Sequence, residues 1–170
     1  STFLSLGVGL GIIEEPLLKK NIPIDLQECQ PHSLEYLQNK NIHFKSYICS
    51  ELANIPSNSY DYIFAFNISY CFNYDSYINL YKDIYRILKP DGKCLVYDPF
   101  ISITSVRLIQ YIKKIIKKII LLKKSENSVF WGWLRLPHLH KKCAEKNNLI
   151  CIDSFKTDGN GCKSSKPKDD

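Results

Sequence analysis

The sequence predicts an α/β protein with a doubly wound, mostly parallel sheet and helices on both faces. Three observations carry this. Short apolar runs of strand length alternate with amphipathic stretches of helix length from Phe3 to Tyr97. The links between them are short and rich in turn residues. The first run opens into a loop with glycine at every second position, Gly7-Val8-Gly9-Leu10-Gly11, which leads into a helix. Strands joined through helices by short loops imply a parallel sheet.

Residues 2–6 form an apolar run that fits a buried central strand. Residues 12–20 read as a helix, with Glu14 and Glu15 early and Lys19 and Lys20 at the end, the polarity that suits the helix dipole. Pro16 must then lie in its first turn or kink it. Residues 22–27 are a second strand ending in Glu28, 31–40 an amphipathic helix, and 42–48 a third strand. Turn residues over 54–59 precede a nearly continuous apolar strand at 60–67. Asn73 and Asp75 can cap a helix over 76–88, whose Tyr77, Leu80, Tyr81, Ile84, Tyr85 and Leu88 recur at core spacing. Lys89-Pro90-Asp91-Gly92 turns the chain into a fifth strand at 93–97.

Residues 101–124 are mainly helical, with isoleucines on one side and Lys113, Lys114, Lys117 and Lys118 on the other. A loop bearing Trp131 and Trp133 follows, then a helix over 138–146 and a sixth strand at 149–155. From Lys156 the chain is polar and expected to lack fixed structure. The organisation is one domain over 1–155, with 101–140 as an inserted helical lid or substrate region, and a tail over 156–170.

Composition narrows the partners. A chain of 170 residues, 45% hydrophobic and 24% charged, is an ordinary globular domain. Its net charge of +6 is local: residues 107–124 carry seven basic groups and no acid, and without them 16 basic residues stand against 17 acidic. A nucleic-acid face would spread its charge over several elements, so nucleic acid is not an expected partner. Seven cysteines without a C-x-x-C pair read as free thiols in a reducing compartment. No signal-peptide pattern and no apolar run of roughly 20 residues is visible, so a cytoplasmic location is expected.

The glycine loop lets the backbone take positive φ and lets a ligand approach the main chain. Glu28, 21 residues after Gly7 at the end of the second strand, can accept both hydroxyls of a ribose lying over that loop. The plainer reading of Glu28 is a solvated loop acid. Together, Gly7-Val8-Gly9-Leu10-Gly11, Glu28, the segment Pro56-Ser57-Asn58-Ser59-Tyr60-Asp61-Tyr62-Ile63 and the turn Leu88-Lys89-Pro90-Asp91-Gly92-Lys93 resemble the class I S-adenosylmethionine-dependent methyltransferases, especially their small-molecule (methyltransferase type 11-like) branch. A dehydrogenase fingerprint would want glycine where Ile12 stands.

The resemblance implies a Rossmann-like methyltransferase fold and S-adenosylmethionine as cofactor. Gly7, Gly9 and Gly11 would pack under its methionine part, Glu28 would hold the ribose, and Cys29 would flank the adenine. Asn67 and Ile68 would line the cofactor beside the methyl group, and Tyr70 would face the acceptor. Two positions depart from the family. An acid expected two residues before Gly7 is Ser5, where Ser5→Asp is expected to tighten cofactor binding. An Asp expected near the adenine amino group falls on Cys49, with Ser50 and Glu51 adjacent. The sheet-closing strand and the helices before the first strand also lack counterparts, which leaves open a domain incomplete at both ends.

Methyl transfer requires alignment in a dry pocket, and an oxygen acceptor also requires a base. Tyr70, His138 and His140 are the candidates, with a surface role favoured for both histidines. His138-x-His140-x-x-Cys143 lacks a fourth ligand, so no metal is expected. The lysine-rich helix over 107–124, with the two tryptophans, either lies on an anionic membrane or lipid-linked acceptor, or covers the domain as a lid with solvated lysines. The function implied is methyl transfer to a small-molecule, sugar or lipid-like acceptor. The alternatives are a degenerate, non-catalytic partner subunit and, more remotely, a nicotinamide-dependent oxidoreductase.

Overall fold

The structure, a computed structural model, describes residues 1–49, 52–98, 135–154, 156–157 and 163–165, together with Ile112. Five strands form one parallel sheet in the order β3-β2-β1-β4-β5: β1 Phe3–Leu6, β2 Ile24–Glu28, β3 Ser46–Ile48, β4 Tyr60–Phe66 and β5 Leu88–Tyr97. The chain leaves β1, builds outward through β2 and β3, and returns to the other side of β1 with β4. The order therefore reverses between β1 and β4, and ligands of open α/β sheets bind at the carboxyl ends of the strands beside such a point.

Alternation along the strands gives each face its own core. Leu4, Leu6, Ile63 and Ala65 bury against Leu80, Ile84 and Ile87 of α3 (Tyr74–Ile87). Ile24 and Leu26 bury on the opposite face against Leu18 of α1 (Glu15–Lys19), Leu34, and Leu37 of α2 (Glu35–Gln38). Tyr77 and Tyr81 on α3 pack with Cys143 of α4 (Pro137–Lys146) and are core, whereas Tyr85, expected in the same stripe, is 50% exposed because it turns past the edge of that contact. Asn73 caps α3 by accepting the Ser76 N–H at 2.9 Å. Arg86 ties α3 to the segment before β4, its guanidinium donating to the carbonyls of Leu52 and Ile55, each at 2.7 Å.

Several boundaries move for physical reasons. Pro16 has no N–H to give, so α1 begins at Glu15 with proline in its first turn, and residues 12–14 are turn. The stretch after β2 is a 3-10 turn, Pro31–Leu34, running into the single α turn of α2. Strand β3 is three residues long; of the residues expected before it, the Lys45 carbonyl still accepts the Leu26 N–H at 2.9 Å. The Lys-Pro-Asp-Gly turn is a bulge inside β5: Leu88 pairs Tyr60 and Lys93 pairs Tyr62, with Asp91 at φ 64° between them.

The sixth strand is a correction. Residues 149–154 are not strand, with Ile150 86% and Ile152 78% exposed. Among the described residues no strand lies beyond β5 in this sheet. In the polar tail, β6 (Lys156–Thr157) and β7 (Lys163–Ser165) pair antiparallel. The lysine-rich helix, apart from Ile112, and both tryptophans lie outside the described residues. Among the described residues no helix is long and apolar enough to cross a membrane, and no cluster of His, Cys, Asp and Glu could hold a metal.

Candidate functional site

The carboxyl ends of β1, β2, β4 and β5 bring together Gly7, Glu28, Asn67 and Asp98. All three loop glycines sit at positive φ, 65° at Gly7, 56° at Gly9 and 73° at Gly11. Their surroundings differ. A Cβ on Gly7 would stand 2.2 Å from Ile68 Cγ2, and one on Gly11 would stand 2.4 Å from Leu37 Cδ1. A Cβ on Gly9 would meet nothing within 4 Å. Gly7 and Gly11 are thus set by the protein's own packing, and Gly9 alone presents bare backbone to open space.

Two side chains at the end of β2 hold this loop. Glu28 accepts the Gly9 N–H at 2.7 Å on Oε2, and the N–H groups of Cys29 at 2.8 Å and Gln30 at 3.1 Å on Oε1. The Cys29 thiol also donates to Oε1 at 3.1 Å. Burial works to raise the Glu28 carboxyl, but these hydrogen bonds outweigh it and hold the group below its ordinary value. Glu28 is therefore a buried loop clamp, kept ionised by its hydrogen bonds, rather than a solvated acid. Gln27 accepts the Gly7 N–H at 3.1 Å and donates to the Cys49 carbonyl at 2.6 Å, joining the loop to the end of β3.

The remaining positions fall as follows. Ser5 is buried and donates to Glu14 Oε1 at 2.6 Å. Cys29 is exposed and Cys49 half-buried beside the end of β3; Ser50 and Glu51 lie outside the described residues. Asn67 is exposed at φ 53°, and Ile68 is buried in the core against Gly7. Tyr70 is half-buried, and burial pushes its phenol up, away from the range of a base at neutral pH. His138 is exposed. The surface role expected for His140 is corrected: its Nδ1 lies 3.0 Å from the Tyr81 hydroxyl and its ring meets Tyr77 edge-on, because α4 packs on α3. Burial lowers its pKa.

Sequence reasoning missed Glu14, Gln27 and Asp98. Asp98 accepts the Ser69 N–H at 3.1 Å and so ties the loop after β4 to the end of β5. A shallow depression lined by Leu18, Ile22, Ile24, Asp25, His43 and Lys45 lies at the amino ends of the strands. It is remote from the glycine loop and has no part in this chemistry.

Residues 4–96, more than half of the chain, match the family described as "Methyltransferase domain". The chain belongs to that family, in the class I S-adenosylmethionine-dependent fold. No curated protein matches the sequence. Among solved structures, a SAM-dependent methyltransferase from Archaeoglobus fulgidus is 14% identical with a TM-score of 0.66, covering 91% of this chain and 64% of its own. The mitomycin 7-O-methyltransferase MmcR is 17% identical with a TM-score of 0.68, covering 98% and 46%. Phosphoethanolamine N-methyltransferase 2 of Haemonchus contortus, in complex with S-adenosyl-L-methionine, is 18% identical with a TM-score of 0.60, covering 86% and 32%. The chain thus spans less than two thirds of the length of each of these proteins.

The cofactor of this family is S-adenosylmethionine, and the residues present fit it. The backbone at Gly9 is open to a close ligand. Glu28 Oε2 takes a single N–H and retains a lone pair for a ribose hydroxyl. On Oε1 the Cys29 thiol, a weak donor, is the partner a second hydroxyl can displace.

Proposed function

We propose that this chain binds the cofactor of, and acts as, a methyltransferase that moves a methyl group to a small-molecule, sugar or lipid-like acceptor. The observation that carries the proposal is the open Gly9 backbone held at 2.7 Å by a buried, ionised Glu28 at the switch point of the sheet. The left-handed backbone at φ 56° already favours glycine at position 9; what points to a ligand is that its Cα also faces open space. The acceptor class is supported by the relatives' names, which specify a mitomycin and phosphoethanolamine.

The cofactor supplies an electrophilic methyl on a sulfonium. The chain's own residues bind and orient: Glu28 holds the ribose, Gly9 admits the cofactor to the main chain, and the loop from Asn67 to Tyr70 borders the acceptor side. Ser69 and Asp98 fix that loop, and the raised phenol of Tyr70 makes it a hydrogen-bond donor to the acceptor rather than a base. The case for a degenerate domain rests on the missing acids at Ser5 and Cys49, and the buried Glu14 beside Ser5 weakens its first half.

Incubation with S-adenosylmethionine labelled on its methyl group, together with fractionated small-molecule and lipid extracts, tests the proposal. Label is expected in a single organic- or water-soluble fraction, and to disappear with Gly9→Ala. Label confined to protein or nucleic acid, or found in no fraction, would contradict it.

A further inference from the structure

Glu14 and Glu15 are adjacent in sequence and opposite in circumstance. Glu15 is a paired acid: Lys19 at 2.7 Å and Lys40 at 2.8 Å pair with it, and these contacts hold its carboxyl down at about 2. Glu14 is 3% exposed and has the 1% exposed Ser5 as hydrogen-bond donor, at 2.6 Å. Its second oxygen, Oε2, is buried and has no hydrogen-bond partner among the described residues. Burial raises its pKa, and the Ser5 hydrogen bond only partly opposes this. A buried carboxylate without a cation is costly and persists where something else brings the positive charge.

The location says what could bring it. Ser5 lies on β1 just before Gly7, and Glu14 closes the loop, its carbonyl accepting the N–H groups of Leu17 at 3.0 Å and Leu18 at 2.9 Å. The Gly11 carbonyl accepts the Glu15 N–H at 2.8 Å, so the junction of loop and helix is fixed. The carboxylate therefore lies beneath the glycine loop, between the end of β1 and the start of α1. The ligand expected over that loop carries a methionyl ammonium at neutral pH.

We propose that Glu14 is the acid of the cofactor pocket and receives the methionyl ammonium, directly or through one water. The strand supplies the Ser5 hydroxyl, and the loop–helix junction supplies the acid that the resemblance expects on the strand. Ser5 is then a positioning residue for Glu14 and not a lost function. The proposal rests on the cofactor reading of the glycine loop. It also reverses the expectation for Ser5→Asp, which would set two carboxylates against each other in a buried site.

Calorimetric titration of the wild type, Glu14→Gln, Ser5→Asp and Ser5→Asp/Glu14→Ser tests this with three ligands. S-adenosylmethionine and S-adenosylhomocysteine carry the ammonium, and methylthioadenosine lacks it. Glu14→Gln is expected to weaken the first two about 10- to 100-fold, the range for one lost charged hydrogen bond, and to leave methylthioadenosine unchanged. Without ligand at pH 8, Glu14→Gln should melt no lower than the wild type, since it removes a buried charge. Ser5→Asp should weaken binding and lower the melting temperature, and the double variant should recover both. Equal loss on all three ligands, no loss on any, or no recovery in the double variant would overturn the proposal. If the wild type binds none of the three, the cofactor reading itself falls, and this assignment with it.

Discussion

Gly9→Ala is expected to leave the protein folded and to weaken S-adenosylmethionine binding by about 30-fold or more, a loss of ~2 kcal/mol. The added methyl meets no protein atom within 4 Å, so the only folding penalty is the left-handed backbone at φ 56°, about 1–2 kcal/mol. The space it fills is the space a close-lying cofactor needs. Gly7→Ala and Gly11→Ala should behave in the opposite way. Their methyls would stand 2.2 Å from Ile68 Cγ2 and 2.4 Å from Leu37 Cδ1. Both neighbours are buried core residues with little room to shift. Overpacking and the positive φ together give about 2–5 kcal/mol of lost stability. Denaturant melts and titration on the three variants would separate the roles. A Gly9→Ala protein that binds like the wild type would remove Gly9 from the site.

Glu28→Ala is expected to cost both binding and stability. It leaves three backbone N–H groups, from Gly9, Cys29 and Gln30, without the carboxylate that collects them. Cys29 and Gln30 are exposed, so water offsets part of the loss and the cost is about 2–4 kcal/mol. That corresponds to a melting temperature lower by roughly 5–10 °C. Cofactor affinity should fall about 100-fold through loss of the ribose acceptor and of the loop's shape. The pH dependence follows from the direction of the shift. The folded protein holds the Glu28 carboxyl below its usual 4.5, so its contribution is present above that value and is lost as pH falls through the folded pKa. The stability gap between wild type and Glu28→Ala should therefore be full at pH 7 and close as the pH falls below about 4.5. A gap independent of pH would show that the carboxylate's charge is not what holds the loop.

Much of this was legible in the residues themselves. The glycine loop and the acid closing β2 are local features with fixed spacing, and the structure places them against each other at 2.7 Å. Tyr77 and Tyr81 of α3 were readable as core because their helical period survives in the fold, while Tyr85 at the stripe's margin is exposed. Glu14 escaped notice because its role depends on a contact with Ser5 across the loop, nine residues away. The signal was present as an acid missing from the strand and a spare one at the helix start. Gln27 was unreadable for a related reason: a buried amide in a strand acquires meaning only from the loop it clasps. The segment 149–154 has the composition of a strand but, among the described residues, no neighbouring strand to pair with, and pairing is not a property of one segment. His140 read as a surface residue because its pocket is made by Tyr77 and Tyr81, some sixty positions earlier.

The central claim is that the loop from Gly7 to Glu14, with Glu28, is a working S-adenosylmethionine site. Its most direct test is calorimetric titration of the wild-type chain at pH 7.5 with S-adenosylmethionine, S-adenosylhomocysteine and NAD. Saturable one-to-one binding of both sulfur nucleosides and none of NAD is the predicted result. Silence with both sulfur nucleosides from a folded protein, or binding of NAD in their place, would contradict it.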